Sequence, residues 1–160
     1  MSYAAVTAAD CPARPPWVLF FREGEVSTKS ILVIDDEDAI RVGVRLTLED
    51  AGYTVLEAAN GYEALELLRS SAAPLVVLLD LMMPEMSGLR FLQALKDEPK
   101  LAENHAFVIF SAARSFTAPT LVVYLPGKRL LDLPKPFSLD DLLAVVEQAA
   151  CEIGAQSTVT

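Results

Sequence analysis

The sequence predicts an α/β fold: a parallel sheet with helices on both faces. Three observations carry that reading. Short runs, apolar at every position, occur at Ile31–Ile34, Leu75–Leu79 and Ala106–Phe110. Stretches with apolar residues at helical spacing separate them. Each run is followed at once by a polar or acidic residue. Fully apolar strands suit a sheet covered on both sides, and strand–helix alternation implies parallel strands joined by right-handed crossovers.

Taken in order, Ile31–Ile34 is the first strand and runs into acids. Asp38 is read as the N-cap of a helix striped by Ile40, Val44, Leu48 and Ala51, which stops at Gly52. Tyr53–Ala58 is strand-like. Asn60-Gly61 marks a turn before a second helix striped by Ala64, Leu65, Leu67 and Leu68, and Pro74 breaks the pattern. Leu75–Leu79 runs straight into Asp80. After Pro84 and Gly88, Leu89–Lys96 forms a third helix. Ala106–Phe110 is the fourth strand and Leu130–Leu133 a short fifth. Leu139–Cys151 is the last helix, with Ser138 as N-cap and Asp141 in the capping-box position.

Residues 112–134 break the rhythm. Pro119 and Pro126 flank Leu121-Val122-Val123-Tyr124-Leu125, an apolar, β-branched run without a 3.6-residue period. A fourth helix is therefore expected to be short, displaced or unwound.

The chain has 160 residues, 52% hydrophobic, with 13 basic and 22 acidic side chains and a net charge of −9. That length suits one domain with some tail. The acidic balance argues against nucleic acid or an anionic membrane as partner, since both call for Lys and Arg. No apolar run approaches the ~20 residues of a membrane span. Cys11 and Cys151 show no metal-like spacing and are read as fitting a reducing cytoplasm, with no disulfide framework. The expected organisation is a flexible tail over 1–28, one domain over 29–151 and a tail over 152–160. Alternatively, the native chain starts at Val26, read from a GTG codon, which leaves residues 1–25 untranslated.

Ligands of open α/β sheets bind beyond the carboxyl ends of the strands. Asp35-Asp36-Glu37, Asp80, Ser111 and Lys135 all fall at such ends. Clustered carboxylates repel one another, and a hard divalent cation such as Mg²⁺ resolves this with oxygen ligands. A metal, a lysine and a hydroxyl around a carboxylate are poised for phosphoryl transfer, with the carboxylate as nucleophile.

Ile31–Glu37 (ILVIDDE), Val77–Gly88 (VLLDLMMPEMSG), Ser111-Ala112 and Lys135-Pro136-Phe137, in this order, resemble the receiver domain of two-component response regulators over about residues 30–150. The resemblance implies a flavodoxin-like, doubly wound, five-stranded sheet in the order 2-1-3-4-5. It implies Asp80 as phosphoacceptor, Asp36 as a direct Mg²⁺ ligand, Asp35 as a ligand through water, and Met82 as a ligand through its backbone carbonyl. Ser111 would be the switch hydroxyl and Lys135 the lysine contacting the phosphoryl group, with Pro136 after it in a cis bond. The family's usual aromatic three residues before the lysine is replaced by Asp132, leaving Tyr124 as the nearby candidate for a switch aromatic. Output is then expected from ordering or shifting of residues 114–129. Met82 and Ala113 occupy the positions that tune loss of the phosphoryl group, and neither hydrogen-bonds a water well, so a long-lived phosphorylated state is expected.

The reading is a single-domain, cytoplasmic switch, not a turnover enzyme. A sensor histidine kinase or histidine phosphotransfer protein would phosphorylate it. With nine residues after Cys151, the signal would leave through a downstream protein target, and the apolar run at 121–125 would serve as partner or homodimer surface. An aspartyl-phosphate phosphatase is disfavoured because Met82 stands where that class needs a second acid. A degenerate receiver is disfavoured by the complete acid, hydroxyl and lysine set. His105, before strand four, is read as an ordinary surface residue, and Met82, Met83 and Met86 as core or loop packing.

Overall fold

The computed structural model describes residues 29–112 and 118–156. Five strands, β1 (Ser30–Ile34), β2 (Thr54–Ala58), β3 (Leu75–Leu79), β4 (Ala106–Ile109) and β5 (Leu130–Asp132), form one sheet in the order β2-β1-β3-β4-β5. Every pairing is parallel, with Ile34 beside both Ala58 and Leu79. All strands therefore end along the same edge.

The expected two-sided burial is met because side chains alternate across a strand. Leu32, Ile34, Val77, Leu79, Phe107 and Ile109 face one core cluster, while Ile31, Val33, Val76, Leu78, Val108 and Phe110 face the other. The first side is closed by α2 (Gly61–Ser70) and α3 (Gly88–Asp97), through Leu65, Leu68, Phe91, Leu92 and Leu95. The second is closed by α1 (Asp38–Asp50) through Val44 and Leu48, and by the last helix through Leu142, Val146 and Ala149. No described helix is long and apolar enough to cross a membrane.

Local signals act largely as read. Asn60 Oδ1 accepts the Glu63 amide to cap α2, and Gly52 ends α1 at a φ of 94°. Ser138 and Asp141 form the reciprocal capping box.

Several expectations are corrected. Asp38 is the first helical residue of α1 and not its cap. Glu37 holds that position without a side-chain cap bond, and the Asp38 carboxylate pairs with Arg41 instead of capping the helix. An extra single turn, α4 (Pro99–Ala102), follows α3, with Pro99 starting the turn in which its missing N–H costs nothing. The last helix extends past Cys151 to Gln156, held by the Arg129–Glu152 ion pair at 3.2 Å and by Ile153 against the core.

His105 is buried, and its Nδ1 accepts the Leu75 amide at 2.9 Å. Met83 and Met86 are buried as expected, but Met82 is exposed. Cys151 is disulfide-bonded. The expectation of no disulfide is corrected at this residue, and cysteine usage lends no support to a reducing compartment.

The irregular fourth crossover is borne out. It contains a four-residue helix, α5 (Ala118–Leu121), and a 3₁₀ turn, Val122–Tyr124. The readings placed on residues 1–28, on Ala113 and on 157–160 lie outside the described residues.

Candidate functional site

The sheet edge assembles the site from four strand ends, two of which supply its acids. β1 ends in Asp35, whose amide donates to Ala58 O, and β3 ends in Asp80, whose amide donates to Ile34 O. The ladder thus continues one residue past each strand and carries both aspartates to the same height. Asp35 and Asp80 are buried and Asp36 is exposed, yet one carboxylate oxygen from each lies within 4.8 Å of the others.

Lys135 is delivered from the other side. Its amide donates to Ser111 O and that of Leu133 to Ile109 O, so the loop after β5 stays beside β4. The Lys135–Pro136 peptide is cis, as the resemblance implies. Lys135 Nζ sits 2.5 Å from Asp35 Oδ2 and 3.6 Å from Asp80 Oδ2. It also rides 4.6 Å above the Phe110 ring, a cation–π contact that holds the ammonium over the site. Ser111, buried at the end of β4, hydrogen-bonds the Asp80 side chain.

The aspartates are further tied to backbone. Asp35 Oδ1 accepts the Glu37 amide at 2.9 Å, and Asp80 Oδ1 accepts the Met82 amide at 3.2 Å. Gly88 lets the loop after Asp80 close. A Cβ there would lie 2.5 Å from Asp80 O and 2.7 Å from Leu81 Cα.

Burial raises the Asp80 carboxyl above the ordinary carboxylate range. The Met82 amide, Lys135 and Ser111 oppose that shift, and Asp35 adds to it. Three acids face one side-chain cation in ion-pair contact with Asp35 and Asp80 among the described residues. The uncompensated negative charge and the all-oxygen donors fit a hard divalent cation such as Mg²⁺.

Asp35, Asp36, Asp80, Ser111 and Lys135 are thus brought together, and Met82 lies in the adjoining loop. Tyr124 is placed elsewhere. It packs with the cluster on the α3 side, in the wall of a groove that it shares with Leu95 and Lys96 from the last turn of α3. That turn lies toward the end of the sheet opposite the acids. Three participants escaped the sequence reading. Phe110 looked like the last residue of a buried strand, the Glu37 amide has no side-chain signature, and Gly88 looked like an ordinary turn glycine.

Comparison with known proteins agrees with this geometry. The model of the response regulator receiver domain matches residues 31–147. The response regulator Rre1 of Synechocystis sp. is 36% identical over 135 residues, spanning 80% of this chain and 57% of that protein. The sensor kinase CckA of Brucella abortus is 35% identical over 121 residues, spanning 74% of this chain and 12% of that protein. The chain thus covers little more than half of the first relative and a small part of the second. Among solved structures, a CheY-like receiver domain protein from Methanospirillum hungatei superposes with a TM-score of 0.69 at 28% identity, covering 81% of this chain and 99% of that one. The chemotaxis protein CheY4 of Vibrio cholerae gives 0.66 at 27% identity, covering 77% and 99%.

Proposed function

The chain belongs to the response regulator receiver domain family of two-component signalling, and we propose that it is a Mg²⁺-dependent switch whose phosphoacceptor is Asp80. The observation that carries the proposal is the cluster of Asp35, Asp36 and Asp80 with the Lys135 ammonium 3.6 Å from Asp80.

In this proposal Asp36 and Asp80 would hold the ion directly, Asp35 would hold it through water, and Met82 would offer its backbone carbonyl. The bound ion would screen the charge of an incoming phosphoryl group. The remaining work falls to the chain. A carboxylate oxygen of ionised Asp80 attacks the phosphorus of a phosphohistidine. The N–P bond breaks with its electron pair left on the imidazole, and an acyl phosphate forms. Lys135 neutralises a phosphoryl oxygen, and Ser111 turns its hydroxyl from the free carboxylate to the phosphoryl group.

The donor is proposed to be a sensor histidine kinase or a histidine phosphotransfer protein. We further propose that 29–151 acts as the receiver. It is a switch that phosphorylates and slowly dephosphorylates itself, not a turnover enzyme, and its output is contact between the 114–129 segment and a downstream protein.

The test is labelling with radioactive acetyl phosphate. Wild-type protein takes up label with Mg²⁺ and not with EDTA, and Asp80→Asn takes up none. Wild-type labelling of Asp80→Asn removes Asp80 from the role.

A further inference from the structure

The irregular fourth crossover leaves an open groove of about 730 Å³ at the far end of α3. Its floor is apolar, formed by Leu95, Ala102, Tyr124 and Leu125. A continuous helix would lay a row of side chains here, whereas the chain passes from the single turn of α5 into a 3₁₀ turn and leaves the groove at Pro126-Gly127, with Gly127 at a φ of 79°. On the same turn Val122 and Val123 are 45% and 56% exposed, so apolar surface continues beyond the groove.

The charge around it runs against that of the whole molecule. Net charge is −9, yet three of the five lysines, Lys96, Lys100 and Lys128, line this groove, against one acid, Glu103. Lys128 is engaged, its Nζ donating to the carbonyls of Glu103 and His105. Lys96 and Lys100 are exposed and enter no ion pair among the described residues.

We propose that this groove docks a partner protein through an acidic, amphipathic helical segment, whose apolar side chains fill the floor and whose carboxylates meet Lys96 and Lys100. An apolar floor with a cationic rim complements such a helix, and helix-in-groove binding is read through anchors at i, i+3, i+4 and i+7. The exposed valines favour a partner extending past the groove over a small ligand confined to it. The inference rests on the switch reading and gives a chemistry to the outgoing contact proposed above; the groove shares no residue with the acidic site, so binding to it and labelling of Asp80 are read separately.

The probe is a synthetic helical peptide with leucines at i, i+3, i+4 and i+7 and glutamates between them, added to the full chain and followed by amide resonances. Shifts at Leu95, Ala102, Tyr124 and Leu125 are expected. The double variant Lys96→Glu/Lys100→Glu weakens binding about ten-fold or more, as two partly exposed ion pairs become repulsions. That variant gains binding to the matching peptide with lysines in place of glutamates. Both substitutions are on exposed side chains, and acetyl phosphate labelling of the same samples stays at the wild-type level, which separates failure of the groove from failure of the Asp80 assignment. The proposal is overturned if no groove resonance shifts, or if reversing the two charges leaves binding unchanged. It is also overturned if sedimentation shows a dimer of the chain that Val123→Asp dissolves, because the groove's occupant is then a second copy.

Discussion

Acidification from pH 7 to pH 4 should destabilise the fold through His105. Burial, with a smaller contribution from Lys128, pushes the imidazole down to about 4 from its ordinary 6.5. Its Nδ1 accepts the Leu75 amide at 2.9 Å, a bond that a protonated ring cannot accept. Between the two values the unfolded chain binds more protons here than the folded one, so stability rises with pH across that window. It is complete above about 6.5 and is lost on descent toward 4. The two values give a loss of about 2 kcal/mol between pH 7 and 5, and about 3 kcal/mol by pH 4. Against a typical total of ~5–15 kcal/mol this is a large share. Asp80 works in the opposite sense: its raised carboxyl favours the folded state at low pH, and that benefit fades as pH rises past the ordinary carboxylate value. The histidine effect is therefore read as a difference against His105→Gln, whose amide oxygen can still accept the Leu75 N–H. Urea denaturation followed by circular dichroism at pH 7, 6, 5 and 4 should show the wild type losing about 2 kcal/mol more than the variant by pH 5. Parallel profiles for the two proteins would refute the reasoning, as would an NMR titration placing His105 near 6.5.

Glycine substitutions should split by site. Gly88→Ala meets backbone atoms of Asp80 and Leu81 and should cost about 1–3 kcal/mol in urea denaturation. Gly43→Ala, inside α1 with nothing within 4 Å of the added carbon, should stabilise by about 0.5–1 kcal/mol. Lys135→Ala removes the ammonium beside Asp35 and Asp80. Acetyl phosphate labelling should slow by at least about ten-fold, while Mg²⁺ affinity by calorimetry stays within a few-fold. Equal losses in both would make Lys135 part of metal binding. Once formed, the phosphoryl group should persist, because the Met82 side chain two residues after Asp80 cannot orient a water. Release of labelled phosphate from purified protein within seconds would contradict that.

Much of the site was legible because parallel strands put all their carboxyl ends on one edge. Once Ile31–Ile34, Leu75–Leu79 and Ala106–Phe110 are read as strands, Asp35, Asp80 and Ser111 must lie close together. Lys135 follows from the strand before it. What escaped depends on contacts across the fold. His105 is a lone polar residue outside any apolar run, and only the amide of Leu75, 30 residues away, explains its burial. Phe110 is both the end of a buried strand and the platform under Lys135, and the first role hides the second. Pro99 falls just past the third helix as read, and no apolar stripe announces the further turn that it opens. Tyr124 was matched to the site by chemistry alone, and no periodicity could say that its run turns away toward α3.

Phosphorylation at Asp80 is tested most directly by mapping the modified residue. Wild-type protein incubated with acetyl phosphate and Mg²⁺ is reduced with borohydride, which converts an acyl phosphate on aspartate to homoserine, and its peptides are sequenced by mass spectrometry. The account predicts homoserine at position 80, dependent on Mg²⁺ and absent at Asp35 and Asp36. Homoserine at another aspartate, or reduction at position 80 that persists in EDTA, would contradict it.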